Sequence, residues 1–185
     1  MVFAIVDDSG RMKRLFKKVA EIFMEVIARH YKEVKSFKGG YSFGFYPVWS
    51  PEKCIWFQED LSAILSPDHF SEFLKEPAEM ICKDYDYTAV HLHPASFFIV
   101  DELLKIDRLK AIEVNKDIGG PTVAEMIPIF RRILEKKNLI VWGDLDEADI
   151  DVIAGALPPR GIYLNPVVPD ADRANALMNH MLNVA

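Results

Sequence analysis

A chain of 185 residues, half of them apolar, is long enough to bury one core, so a single domain over 1–185 is expected. Its 28 acidic against 22 basic side chains leave a net charge of −6, which argues against a nucleic-acid partner that would need a basic face. No apolar run reaches membrane-spanning length, and Cys54 and Cys82 form no C-x-x-C pair, so a cytoplasmic protein without a membrane partner or a disulfide framework is expected.

From Arg11 to about Val34, the residues Leu15, Phe16, Val19, Phe23, Val26, Ile27 and Tyr31 recur at helical spacing. Asp8 or Ser9 is placed to cap this helix, Gly39-Gly40 lies beyond its end, and the basic cluster from Arg11 to Lys18 reads as its solvated side. Tyr41 to Trp49 is aromatic-rich and alternating, 50–53 is a turn, and Cys54 to Asp60 is a second strand, an aromatic hairpin over 41–60. Helical segments are expected around 67–72 and 77–83. The rhythm then becomes regular, with strands at 87–92, 110–115, 138–143 and 161–165 alternating with helices at about 96–106, 121–136, 146–156 and 170–182. Short apolar strands alternating with helices indicate an α/β fold of βα units around a parallel sheet. Gly119-Gly120-Pro121 reads as a loop into a helix that Pro121 initiates.

The stretch Tyr87-Thr-Ala-Val-His-Leu-His-Pro94 carries most of the chemistry. Strand side chains alternate faces, so His91 and His93 point the same way, and Pro94 stops the ladder just beyond them. The other strand ends are polar as well: Glu59 and Asp60, Glu113 and Asn115, Trp142 and Asp144, then Asn165. Reactive residues at the ends of several strands form the active-site rim of a (β/α) barrel. Trp49, Trp56, Trp142, Tyr41 and Tyr46 read as packing residues, with an aromatic wall for a flat or apolar ligand as the alternative.

The order of these motifs resembles the uroporphyrinogen decarboxylase superfamily, which includes cobalamin-linked methyltransferases. Trp56-Phe-Gln-Glu-Asp60, followed by Ser66-Pro-Asp-His-Phe70-Ser-Glu-Phe73, looks like that family's acidic strand end and helix start. His91-Leu-His-Pro94 stands where the family has H-x-D-G or H-x-C-G, and Leu109-Lys-Ala-Ile-Glu-Val114 and Leu139-Ile-Val-Trp-Gly-Asp-Leu145 are similar to its later strands. The resemblance implies a partial TIM-type barrel of about five parallel strands, lacking the N-terminal barrel strands, with either decarboxylase (lyase) or methyltransferase-like activity on a small-molecule substrate.

The methyltransferase branch holds zinc through the histidine and cysteine of H-x-C and a later cysteine. Here His93 replaces the first cysteine, and the region from Tyr163 to Pro169 offers none, so a thiolate-rich site is excluded. His91 and His93 with a carboxylate such as Glu59, Asp60 or Asp144 suit zinc or another transition metal instead. The expected catalytic set is His91, His93, Asp60 and Asp144, with Glu59, Glu113, Asn115, Trp142 and Asn165 toward the substrate. Glu113 reads equally as a partner for Lys116. The competing reading of the histidines is as rim residues bonded to carboxylates or water without a metal. A second hypothesis is a non-catalytic half-barrel that pairs with a partner chain, a corrinoid protein or a missing-half subunit. Its open edges and aromatic hairpin predict a homodimer or such a heterodimer. An H-x-H metallohydrolase ranks last, because the lysine and further histidines of such a site are absent.

Overall fold

The structure, a computed structural model, describes residues 2–42 and 47–184. Helix α1 (Val2–Asp7) leads into the long α2 (Ser9–Glu33), and Asp8 caps the latter by accepting the Arg11 N–H at 2.9 Å. Strands β1 (Tyr41–Ser42) and β2 (Trp49–Ser50) pair antiparallel, and β3 (Cys54–Gln58) follows. A 3₁₀ turn (Asp60–Ile64) precedes α3 (Pro67–His69), a π turn (Phe70–Leu74) and α4 (Lys75–Cys82). Strand β4 (Tyr87–Leu92), a 3₁₀ turn (Pro94–Ile99) and α5 (Val100–Leu103) come next. The remaining elements are β5 (Ala111–Lys116), α6 (Val123–Leu134), β6 (Asn138–Gly143), α7 (Glu147–Ala156), β7 (Ile162–Pro166) and α8 (Ala171–Val184).

Strands β3 to β7 form one parallel sheet in which spatial order follows chain order. A doubly wound sheet reverses its strand order at a switch point; this sheet has no reversal, which is the winding of a partial (β/α) barrel. The apolar pattern sorts the two faces. Ile55, Phe57, Val90, Leu92, Ile112, Val114, Leu139 and Val141 pack with Phe70, Leu103, Met126, Phe130 and Ile153 from the helices in one buried cluster. Each of these large side chains contributes about 1.5–3 kcal/mol by leaving water. The opposite face carries a second, smaller cluster of Cys54, Ala89, Ala111 and Ile140, on which Tyr41, Val48, Trp56, Trp142 and Tyr163 pack.

Three local expectations are revised. Strand β3 pairs with β4, some 30 residues later, and the antiparallel hairpin closes between 41–42 and 49–50. Gly40 permits that closure: a Cβ there would lie 2.2 Å from the Ser50 carbonyl oxygen and 2.6 Å from the Trp49 ring. Tyr46 lies outside the described residues. The helix expected over 96–106 is a 3₁₀ turn followed by the short α5, because Ser96 and Ile99, three apart, are the buried pair of that turn, and three-residue spacing suits 3₁₀ geometry. Helix α6 is started by Thr122, whose capping box with Glu125 satisfies the first N–H groups, and Pro121 lies just outside it. Among the described residues no helix is long and apolar enough to cross a membrane.

Candidate metal centre

In the parallel register Gln58, His91, Glu113, Ile140 and Tyr163 form one row across the sheet, and Asn115, Trp142 and Asn165 form part of the next. Both rows lie on the face away from the helices, at the carboxyl ends of the strands. His91 is 3 % exposed, within β4; His93 follows the strand, half-buried, at the head of the turn that Pro94 begins.

Strand β5 supplies the carboxylates that orient both rings. Glu113, fully buried and directly across from His91, makes a short hydrogen bond to His91 Nδ1. Asp117, just past the end of β5, takes His93 Nδ1 at 2.7 Å and is itself held by the Asn115 amide. When Nδ1–H donates to a carboxylate, the Nε2 lone pair is left facing outward. The two Nε2 atoms face each other 3.0 Å apart, with the rings near perpendicular at 89°. Two lone pairs at that separation repel unless a positive species lies between them, either a proton on one ring or a metal ion.

Asp60 completes the group. The Glu59 N–H donates to the His91 carbonyl at 3.3 Å, tying the end of β3 to β4 and bringing the Asp60 carboxylate to the imidazoles. Its Oδ1 lies 3.7 Å from His91 Nε2 and 3.8 Å from His93 Nε2. A triangle with sides of 3.0, 3.7 and 3.8 Å has a centre about 2.0 Å from each corner, within the range of Zn–N and Zn–O bonds. Asp60, His91 and His93 therefore lie close enough together to hold a metal ion. No family model, no curated protein and no solved structure matches this chain.

The electrostatics agree with a site built for positive charge. Burial opposes protonation of His91, but the hydrogen bond and charge of Glu113, with Asp60 and Asp117 beyond, outweigh it and raise the imidazole above its ordinary value. Trp56 and Trp142 stand on either side of His91, with ring centroids 6.0 and 6.5 Å away. Asn165 lies beside Trp142 in the register, half-buried on β7.

Two of the expected residues stand apart. Asp144 is exposed and follows Gly143, whose φ of +136° turns the chain out of the strand; Lys116 binds its carbonyl oxygen at 2.6 Å and pairs with Asp149. That ion pair also answers the alternative for Glu113, which bonds His91 while Lys116 turns to the residue after β6 and to α7. Glu59 is 9 % exposed and lines a different cavity; burial first, and the charge of Asp60 second, push its carboxyl up to about 8. Asp117 was not anticipated. The signal was present, since the alternation of Glu113 and Asn115 continues to it one residue beyond the strand. Cys54 and Cys82 are both buried free thiols, and neither joins the cluster.

Proposed function

We propose that the chain is a uroporphyrinogen decarboxylase-like partial barrel of the methyltransferase type that binds a divalent transition metal, zinc first among candidates. The Nε2 atoms of His91 and His93 and the carboxylate of Asp60 would hold it. One observation carries this reading: two imidazoles whose Nδ1 atoms are both committed to carboxylates, with both Nε2 atoms turned toward one point. Carboxylate–histidine pairs of this kind orient metal ligands and raise their basicity. When bound, the ion would supply Lewis acidity at neutral pH toward a small molecule in its remaining coordination positions. Glu113 and Asp117 hold the two tautomers, Asp60 remains accessible from solvent, and Trp56 and Trp142 flank His91. Support for the superfamily is the order of the strand-end motifs together with the chain-ordered parallel sheet.

Cobalt substitution tests the chemistry. Thiol addition to the cobalt-loaded protein is expected to produce sulfur-to-cobalt charge-transfer absorption in the near ultraviolet, because the methyltransferase-like reading requires an open position that accepts a thiol. A cobalt spectrum that no thiol perturbs would refute that reading while leaving the metal site intact.

A second reading, a half-barrel that pairs with another chain, is favoured by a different feature. Leu15, Val19, Ile22 and Val26 are each about half exposed on α2, and their spacing of four, three and four is that of an a/d seam. Phe3 and Val6 of α1 add to this apolar surface. Within the contact expected over 41–60, β3 is a strand of the sheet and Tyr41 and Val48 pack on its face, while 43–46 lie outside the described residues. Helix α2 adds a surface for a homodimer or for a missing-half subunit. Light scattering showing a monomer at micromolar concentration would remove this second reading.

A further inference from the structure

Helix α2 runs beside the free edge of the sheet at β3 and, with α4, leaves a cavity of about 700 Å³ against that edge. Its volume falls in the range of small-molecule sites. The walls are apolar and aromatic, formed by Phe16 and Phe23 of α2, Trp56 of β3, Ile81 of α4 and Tyr31. The Tyr31 hydroxyl closes the first rung of the edge, donating to the Cys54 carbonyl and accepting the Cys54 N–H at 3.0 Å. Asp60, His91 and His93 are not among the lining residues, and Trp56, 6.0 Å from His91, is the wall that this space shares with the candidate metal centre.

One group in the lining is out of keeping with the rest. Glu59 is more than nine-tenths buried, its carboxyl is open to the cavity alone, and burial and the charge of Asp60 are the only influences on it, with no hydrogen bond from a described residue. A buried carboxyl without a partner is costly, and a native structure tolerates it where a ligand supplies the partner. Aromatic walls add to this preference, because ring faces attract cations. We propose that the α2–β3 cavity is a binding site for an apolar amine, whose hydrocarbon body fills the space between Phe16, Phe23, Trp56 and Ile81 and whose ammonium group hydrogen-bonds to the Glu59 carboxylate. A fatty acid of the same length brings no positive charge for the Glu59 carboxylate to pair with.

Matched eight-carbon probes test this in the EDTA-treated protein, so that the outcome does not depend on the metal reading. Isothermal titration calorimetry with octylamine and 1-octanol at neutral pH is expected to rank the amine at least about ten-fold tighter than the alcohol. Glu59→Gln should bring the amine to within about two-fold of the alcohol, since glutamine cannot ionise to pair with the ammonium. Ala20→Leu, which extends a side chain from the buried face of α2 into the cavity, should weaken both amine and alcohol. An alcohol that binds as tightly as the amine, an amine that does not bind, or a Glu59→Gln protein that keeps the ten-fold preference would each overturn the proposal. If Glu59→Gln fails to fold by circular dichroism, the wild-type amine-to-alcohol ratio and the Ala20→Leu result decide it.

Discussion

Replacing Glu59 by glutamine removes a charge that the fold resists making. In the metal-free protein, burial and the neighbouring Asp60 raise the carboxyl from an ordinary 4.5 to about 8. A shift of roughly 3.5 units corresponds to about 5 kcal/mol. The sign follows from which state ionises first. Below the unfolded value both states are protonated and the cost is nil. As pH rises from the unfolded toward the folded value, the unfolded chain ionises while the native state does not, so wild-type stability falls by about 1.4 kcal/mol per pH unit. Above the folded value the loss is complete. Glutamine has no such titration, so the stability of Glu59→Gln relative to wild type should be near zero at about pH 4 and grow to several kcal/mol in favour of the variant at about pH 8. Urea unfolding in EDTA, followed by tryptophan fluorescence at a series of pH values, reads this difference directly. A difference between the two proteins that stays constant across that range would refute the argument.

Glu113→Gln keeps the size of the residue that orients His91 but removes its charge, and zinc affinity measured by competition with a chromophoric chelator should fall by about 10–100-fold. Because His91 holds its proton more tightly folded than unfolded, the stability this gives the metal-free protein is present below about pH 6.5 and is lost as pH rises through the higher native value. Metal loading should therefore release protons, seen as a dependence of the calorimetric heat on buffer ionisation enthalpy. Cys82 is buried and its thiol is pushed up to about 11, chiefly by that burial, so a disulfide reagent at mildly alkaline pH should leave it unmodified until urea is added. Phe130→Ala, at a fully buried position of α6, should cost about 3–5 kcal/mol in urea unfolding.

The pair of histidines was legible because its signal is local: a six-residue apolar strand, a period of two, and a proline that ends the ladder. What surrounds the pair was less legible, because it depends on register. His91 meets Glu113 only because β4 and β5 align with those residues opposite each other, and nothing within either strand specifies that offset. The partner of 54–58 was misjudged for a related reason: the aromatic segment before it is the nearest candidate in sequence, whereas the strand it joins lies beyond α4. Asp144 sits at a strand end by sequence, but the positive φ at Gly143 removes it from the shared face. The cavity beside β3 was not legible at all. The apolar residues of α2 were, but their division into one row against the sheet edge and another facing solvent is set by where the helix docks.

Asp60, His91 and His93 lie close enough together to hold one metal ion. Elemental analysis of protein purified without chelator, repeated after zinc addition and desalting, tests it most directly, with His93→Ala as the comparison. About one zinc per wild-type chain is expected and none retained by His93→Ala, since one imidazole and an exposed carboxylate compete poorly with water for the ion. Wild-type protein that carries no stoichiometric metal and takes up neither zinc, nickel nor iron would contradict it and leave the two imidazoles sharing a proton.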